Sequence, residues 1–292
     1  MRTTHPLRAA RAPSRGHTRR TGKAGSSGVA RSNTVHWAGL CLLAFVCTAQ
    51  AGRPCEDKPL SAQQIERGMN LAEATARQLE ASGAQVVLLA RAGQDLSKHG
   101  LLWSHLGFAY RDATGPQPVW RVLHKLNHCG TARADLFRQG LGEFFLDRPH
   151  RYDAAYARLS PALQSALLPL LRDNTRLRRL HEPRYSMVSY AWGDKYQQSN
   201  QWVLETLALA ADGAGSRAQA QAWLRGQAYQ PGLLRLSTAT RLGARVGMAN
   251  VEFDDHPSAQ RFAGRIETIT ADSMFAWLPR AGLGEPAELV RQ

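Results

Sequence analysis

Between Ser61 and Gly83 the apolar positions Ile65, Met69, Ala72, Ala76 and Leu79 recur at helical spacing, and Ser61 is placed to cap the first turn. The pattern predicts a helix that stops at Gly83. Ala84 to Ala90 is instead a continuous apolar run rich in β-branched residues, which reads as a buried strand. Ser104–Tyr110 and Val119–Lys125 read as two further strands, joined by the turn-rich Arg111–Pro118. Ser160-Pro161 opens a helix toward Arg172, with proline in the first turn, where a missing amide costs nothing. Tyr196–Ala211 predicts a later helix ended by Gly213-Ala-Gly215, after which Ser216 caps a short one. Thr131–Gln139 reads as helical. The C-terminal part, with short apolar runs at Val246–Phe253 and Ile266–Leu278, reads as mixed. No internal repeat is visible. The predicted class is α+β, an antiparallel sheet packed against helices.

The N-terminal segment changes the picture of charge and compartment. Residues 1–51 carry eight basic side chains and no acid, followed by the apolar run Trp37–Cys47 and the small-residue segment Ala49-Gln50-Ala51. A basic stretch, a short apolar core and small residues before a cleavage point are the parts of a secretory signal. The apolar core is too short to span a bilayer, which takes about 20 residues. The expectation is a signal peptide over 1–51, cleaved near Ala51, and a single exported domain over 52–292 that is periplasmic or secreted. Taking the leader's eight positive charges from the formal +14 leaves +6, scattered among acids with no basic block interleaved with aromatics. Nucleic acid is therefore not an expected partner, and no later apolar stretch reaches membrane-spanning length. Cys55 and Cys129 remain after cleavage, and in an oxidising compartment two such thiols are expected to pair.

The candidate chemistry starts with His105 and His124. A hairpin symmetric about Thr114-Gly115 sets the two directly opposite each other, with Cβ atoms about 5 Å apart on one face of the sheet. Leu106, Phe108 and Tyr110 take the other face. The competing reading is a pair of half-buried structural histidines. Asp194 followed by Gln197 resembles a capping box that starts a helix just after Gly193. Ser199 then falls in the first turn, where the positive end of the helix dipole favours an anionic oxygen. Here the competing readings are a helix cap or a small packing residue.

Ser104-His105-Leu106-Gly107, a second strand bearing His124, and a helix opening Gln198-Ser-Asn-Gln-Trp-Val203 together resemble the permuted papain-like superfamily, which includes the NlpC/P60 peptidases and the lecithin-retinol acyltransferase group. In that group a Ser/Thr-His-x-Gly strand precedes a polar residue on the next strand, and a cysteine nucleophile opens a helix. The resemblance covers about residues 84–211 and implies a papain-like core there. It puts Ser199 in the cysteine's place, His105 as base and His124 as the orienting group. The implied activity is hydrolysis or acyl transfer at an amide or ester of the cell envelope, without cofactor or metal. Serine in place of cysteine is a weaker nucleophile, so a catalytically inert binding or assembly domain is the alternative. Across the mature chain, Val86–Ser97, His124-Lys-Leu-Asn and Leu141-Gly-Glu-Phe-Phe-Leu146 resemble the bacterial family called domain of unknown function 2145, a name that brings no reaction.

Three weaker signals complete the reading. His124, His128 and Cys129 have the composition of a zinc site, but on a strand the two histidines would stand about 13 Å apart at roughly 3.3 Å per residue. No metal is expected. Cys129-Gly130 before a helix would mimic a conventional papain-like cysteine, with His150 or His181 as base; the disulfide is the competing reading. Tyr185, Tyr190, Trp192 and Trp202 could wall a groove for a sugar or acyl chain, or belong to the core.

Overall fold

The computed structural model describes residues 59–290. The leader, its cleavage segment and Cys55 lie outside them. Helix α1 (Ala62–Ala81) opens with a reciprocal capping box between Ser61 and Gln64 and ends before Gly83, whose φ of 68° suits glycine. Strands β1 (Val86–Arg91), β2 (His105–Asp112) and β3 (Val119–Asn127) follow. Next come β4 (Ala134–Gly140), the short α2 (Leu141–Phe145), β5 (Ala154–Arg158), α3 (Pro161–Arg172) and α4 (Asn174–Leu177). The chain continues through α5 (Ser199–Asp212), α6 (Arg217–Gly226), β6 (Gly232–Arg235), α7 (Thr238–Gly247), α8 (Ser258–Phe262), β7 (Arg265–Thr268), α9 (Ala271–Trp277) and β8 (Glu288–Leu289).

Six strands form one antiparallel sheet in the order β4-β3-β2-β1-β5-β8, and β6 pairs with β7 in a separate ribbon. The α+β class with an antiparallel sheet and packed helices is what the chain adopts. Every residue of β1 is buried, because both faces of the sheet are covered. Val87, Leu89, Ala109 and Val122 face α1 and α2, whereas Val86, Leu88, Leu106, Phe108 and Leu123 face α3 and α5. Each Val, Leu or Phe side chain so removed from water contributes roughly 1.5–3 kcal/mol. Helix α5 is buried without a break from Ser199 to Leu209, so it has no solvent face for a polar stripe to mark.

Four sequence expectations need correcting. The α1 face is rotated: Ile65 and Met69 are exposed, and Gly68, Leu71, Thr75 and Leu79 are buried. Thr131–Gln139 is not helical; Ala134 onward is an edge strand paired with β3. The long helix does not start after Gly193 with Asp194 as cap. Its cap is Gln198, whose side chain accepts the Asn200 N–H at 2.9 Å. Finally, the Tyr196 helix was expected against the face carrying His105 and His124, but α5 packs on the Leu106–Phe108 face of the sheet. Among the described residues no helix is long and apolar enough to cross a membrane.

Candidate active site

Strand pairing brings the two histidines together in a register that differs from the symmetric one. Asp112 pairs with Val119 and Phe108 with Leu123, so β2 runs two residues further, the turn is shorter than expected and the ladder is displaced by two residues. One step further along, His124 comes against Gly107, and His105 lies diagonally across. Because side chains alternate with period two, a displacement of two keeps both imidazoles on one face. Gly107 is what permits it: a Cβ there would stand 2.8 Å from the His124 Cβ and 2.9 Å from the Leu123 carbonyl oxygen.

The hydrogen bonds beyond this pair run in one direction. His105 Nε2 lies 2.8 Å from His124 Nδ1, and His124 Nε2 lies 2.8 Å from Gln139 Oε1. The Gln139 amide is oriented by Glu143, whose carboxylate can only accept and takes the Nε2 hydrogen at 2.9 Å. Gln139 Oε1 must then accept from His124, so the His124 proton sits on Nε2 and its Nδ1 accepts. His105 consequently donates from Nε2, and its Nδ1 keeps the lone pair. Among the described residues no hydrogen bond reaches that nitrogen. The arrangement Glu143–Gln139–His124–His105 therefore presents a correctly tautomerised base.

Burial, with Arg91 adding to it, keeps both rings neutral. Burial is the main force lowering the His105 pKa well below the ordinary 6.5, followed by Arg91 and by His124. Burial and then Arg91 push His124 down to about 3, against a smaller upward pull from the Gln139 bond. Arg91 stands directly beside His105 in the β1–β2 ladder and is 3 % exposed. It donates to the Phe144 carbonyl and, at 2.5 Å, to Asp147, and lies over the Phe144 ring.

Ser199 is the first residue of α5, and α5 is tied to β2 next to it: Asn200 Oδ1 accepts the Leu106 N–H at 3.1 Å. Ser199 and the half-buried His105 both line one cavity of about 920 Å³. The serine is 5 % exposed, and a hydrogen bond from it opposes the burial that raises the Tyr185 phenol. No hydrogen bond joins Ser199 to His105 in this state. Of the site residues named from the sequence, His105 and Ser199 are thus brought to one cavity, whereas His124, fully buried, touches His105 and does not line it.

The family model for uncharacterized proteins conserved in bacteria, DUF2145, matches residues 78–278. The chain belongs to that family. No curated protein and no solved structure matches it. The DUF2145 region contains the whole relay, from Arg91 to Ser199, and three of its members were not foreseen from sequence. Gln139 was hidden by the helical reading of its strand. Glu143 and Arg91 lay in segments quoted for the family resemblance, where nothing local told of their convergence. The weaker signals separate here. Cys129 lines the cavity, but His150 and His181 do not. Of the four aromatics, Tyr185 alone lines it; Trp202 is fully buried against Phe108.

Proposed function

We propose that the chain is a hydrolase or acyltransferase with a permuted papain-like core, acting on an amide or ester of the cell envelope. The observation that carries this reading is the one-directional relay that leaves the lone pair on Nδ1 of His105, a residue that lines the same cavity as Ser199. In the proposed step the Ser199 hydroxyl leaves Tyr185 and passes its proton to His105 Nδ1 while its oxygen attacks the substrate carbonyl. The tetrahedral oxygen gains from the positive end of α5. His105 then returns the proton to the departing amine or alcohol, and water or an acceptor alcohol, deprotonated by the same nitrogen, releases the acyl group. His124 holds the ring in the right tautomer.

Serine-reactive fluorophosphonate and β-lactone probes test the reading on wild type, Ser199→Ala and His105→Ala. The expected result is modification at Ser199, absent in Ser199→Ala and slowed by about 10²–10⁴-fold in His105→Ala, with both variants folded. The sign of the pH dependence follows from the depressed His105 pKa: the base stays neutral as pH falls through 6.5, so the labelling rate holds there and declines only in more acid solution. An acid limb at 6.5 or above would contradict the assigned base. A second reading, the inert binding domain, is favoured by the burial of Ser199, which is 5 % exposed and not hydrogen-bonded to His105; absence of any Ser199 modification would select it.

We also propose export with cleavage near Ala51, and a Cys55–Cys129 bond, supported by Cys129 being disulfide-bonded. Intact mass of periplasmic protein reads both at once: the expected chain begins at Gly52 and gains two hydrogens on reduction. A chain retaining Trp37, or a mass unchanged by reductant, overturns the respective claim.

A further inference from the structure

Two hydrophobic clusters sandwich the main sheet, and a third lies apart from them in the lobe formed by β6, α7 and β7. All but one of its nine members, Ile266, line the cavity that holds Ser199. Leu234 and Leu236 reach it from β6 and the residue after it, Ala244 and Met248 from α7 and its end, and Met187 and Val188 from the segment before α5. An aliphatic cluster ordinarily packs shut as the core of its own lobe. This one is the wall of a cavity of about 920 Å³, within the size range of small-molecule sites.

The polar members of that wall are already engaged. Thr268 donates to the Ser189 carbonyl at 2.9 Å, Thr270 accepts the Ser273 N–H at 3.0 Å, and Thr240 bonds Ser237 at 2.8 Å. Asn250 donates to Asn127 at 3.0 Å, and its Oδ1 is buried. The charged residues of the lining, Arg91, Asp147 and Arg148, come from β1 and the stretch after α2, not from the lobe. Arg245 and Glu252 pair with each other at 3.4 Å, and neither they nor the buried Arg241 line the cavity. A sugar or a peptide backbone would find few partners on this wall; an aliphatic chain needs none.

Ser199 stands at the edge of it. The preceding Gln198 donates to the Ile269 carbonyl and, at 3.4 Å, to the Thr268 hydroxyl at the end of β7. The following Asn200 accepts the Leu106 N–H of β2 at 3.1 Å. The serine is thereby held between the apolar wall and the strand that carries His105. We propose that the lobe wall binds the long aliphatic chain of a fatty acyl ester or amide whose carbonyl is presented to Ser199. This names the substrate class of the hydrolase or acyltransferase reading and rests on it for the chemistry, whereas chain binding requires only the wall.

Calorimetric titration of residues 52–292, which contain the whole described fold, with monomeric hexadecanoate and octanoate tests the proposal. Each buried methylene is worth about four-fold in affinity, so hexadecanoate should bind at least about 100-fold more tightly than octanoate, in wild type and in Ser199→Ala alike. Ala244→Trp, which fills the wall from α7, and Leu236→Asn, which makes it polar, should each weaken hexadecanoate by about ten-fold or more. Leu242→Trp, at a position of the same helix that is 60 % exposed, should leave it unchanged. No hexadecanoate binding, equal affinity for the two acids, or binding indifferent to both wall variants while they stay folded overturns the proposal. So does an equal loss in Leu242→Trp. Labelling with butyl and dodecyl fluorophosphonates separates the two readings. Chain-length-dependent binding with no modification of Ser199 by either probe supports the chain site and removes the hydrolase reading alone. Modification of Ser199 at equal rates by both removes the chain site alone.

Discussion

Lys125→Met is expected to lower stability by about 3–5 kcal/mol, the range for removing one partner from a buried ionic network. Lys125 is fully buried on β3, pointing away from its neighbour His124. Its ammonium donates to the Glu182 carbonyl at 2.6 Å and to the Gln197 carbonyl and side-chain oxygen, each at 2.8 Å. Gln197 in turn donates to Glu205 and to the Leu180 carbonyl, and Glu205 holds Arg217 at 2.8 Å. Burial first, then Arg217, pull the Lys125 pKa down to about 7, against the favourable pull of Glu205, Glu182 and Asp135. Methionine removes the cost of that buried charge, but the Glu182 and Gln197 carbonyls lose their donor, each worth about 1–3 kcal/mol, while the Gln197 side-chain oxygen keeps the Glu182 N–H at 3.0 Å. The acceptors win. At roughly 2–4 °C per kcal/mol for a domain of this size, the melting temperature should drop by about 10 °C. Because Gln197 directly precedes Gln198 and Ser199, probe modification of Ser199 should also fall in the fraction that remains folded. A melting temperature within about 2 °C of wild type would show the network to be dispensable.

The same network explains what the sequence could not disclose about α5. Residues 194–198 have the local chemistry of a helix start, yet they remain irregular. Arg217 takes the carbonyls of Gly193, Asp194 and Tyr196, and Lys125 takes that of Gln197. These partners come from β3 and α6, beyond the reach of any local pattern, and they delay the helix to Ser199. Where the decisive groups were local, the reading held. Ser61 with Gln64, Ser160 with Pro161, and Ser216 each cap the helix foreseen for them, since capping needs only residues within one turn. The apolar run of β1 was legible because burial on both faces makes five successive residues, Val86 to Ala90, apolar before the buried Arg91.

The candidate site was legible to the extent that period-two alternation carries it. His105 and His124 share a face whether the ladder is symmetric or displaced by two, so the pairing survived an error in register. Alternation says which side chains share a face, but not which helix covers that face. Helix α5 has no polar stripe to orient it, and it lies under Leu106 and Phe108. The orienting half of the relay was out of reach for a different reason: Gln139 and Glu143 meet His124 only because β4 pairs with β3, placing Gln139 beside Val122 on the histidine face.

Gly107→Ala provides the second large effect, because it acts on stability and on the base together. The added methyl would meet the His124 Cβ at 2.8 Å, the Leu123 carbonyl oxygen at 2.9 Å and a Val122 methyl at 3.1 Å. The carbonyl belongs to a central strand and the Cβ moves only with its backbone, so β3 itself must shift. Overpacking of this kind costs about 1–3 kcal/mol, and rigid neighbours put this position at the upper end of the range. A shift of β3 also carries His124 away from His105 Nε2. The His105 ring then loses the acceptor that fixes its tautomer, and modification of Ser199 should slow by about ten-fold or more, beyond any loss of folded protein. Ala109→Gly is the matched control: it changes a methyl on the same face and strand, two residues along. It should cost a comparable part of the stability, about 1 kcal/mol from strand propensity plus the lost contact, while leaving the histidine pair in place. Loss of stability in both variants with slowed labelling confined to Gly107→Ala ties the rate to the position of His124. Equal slowing in both would mean that the rate follows stability alone.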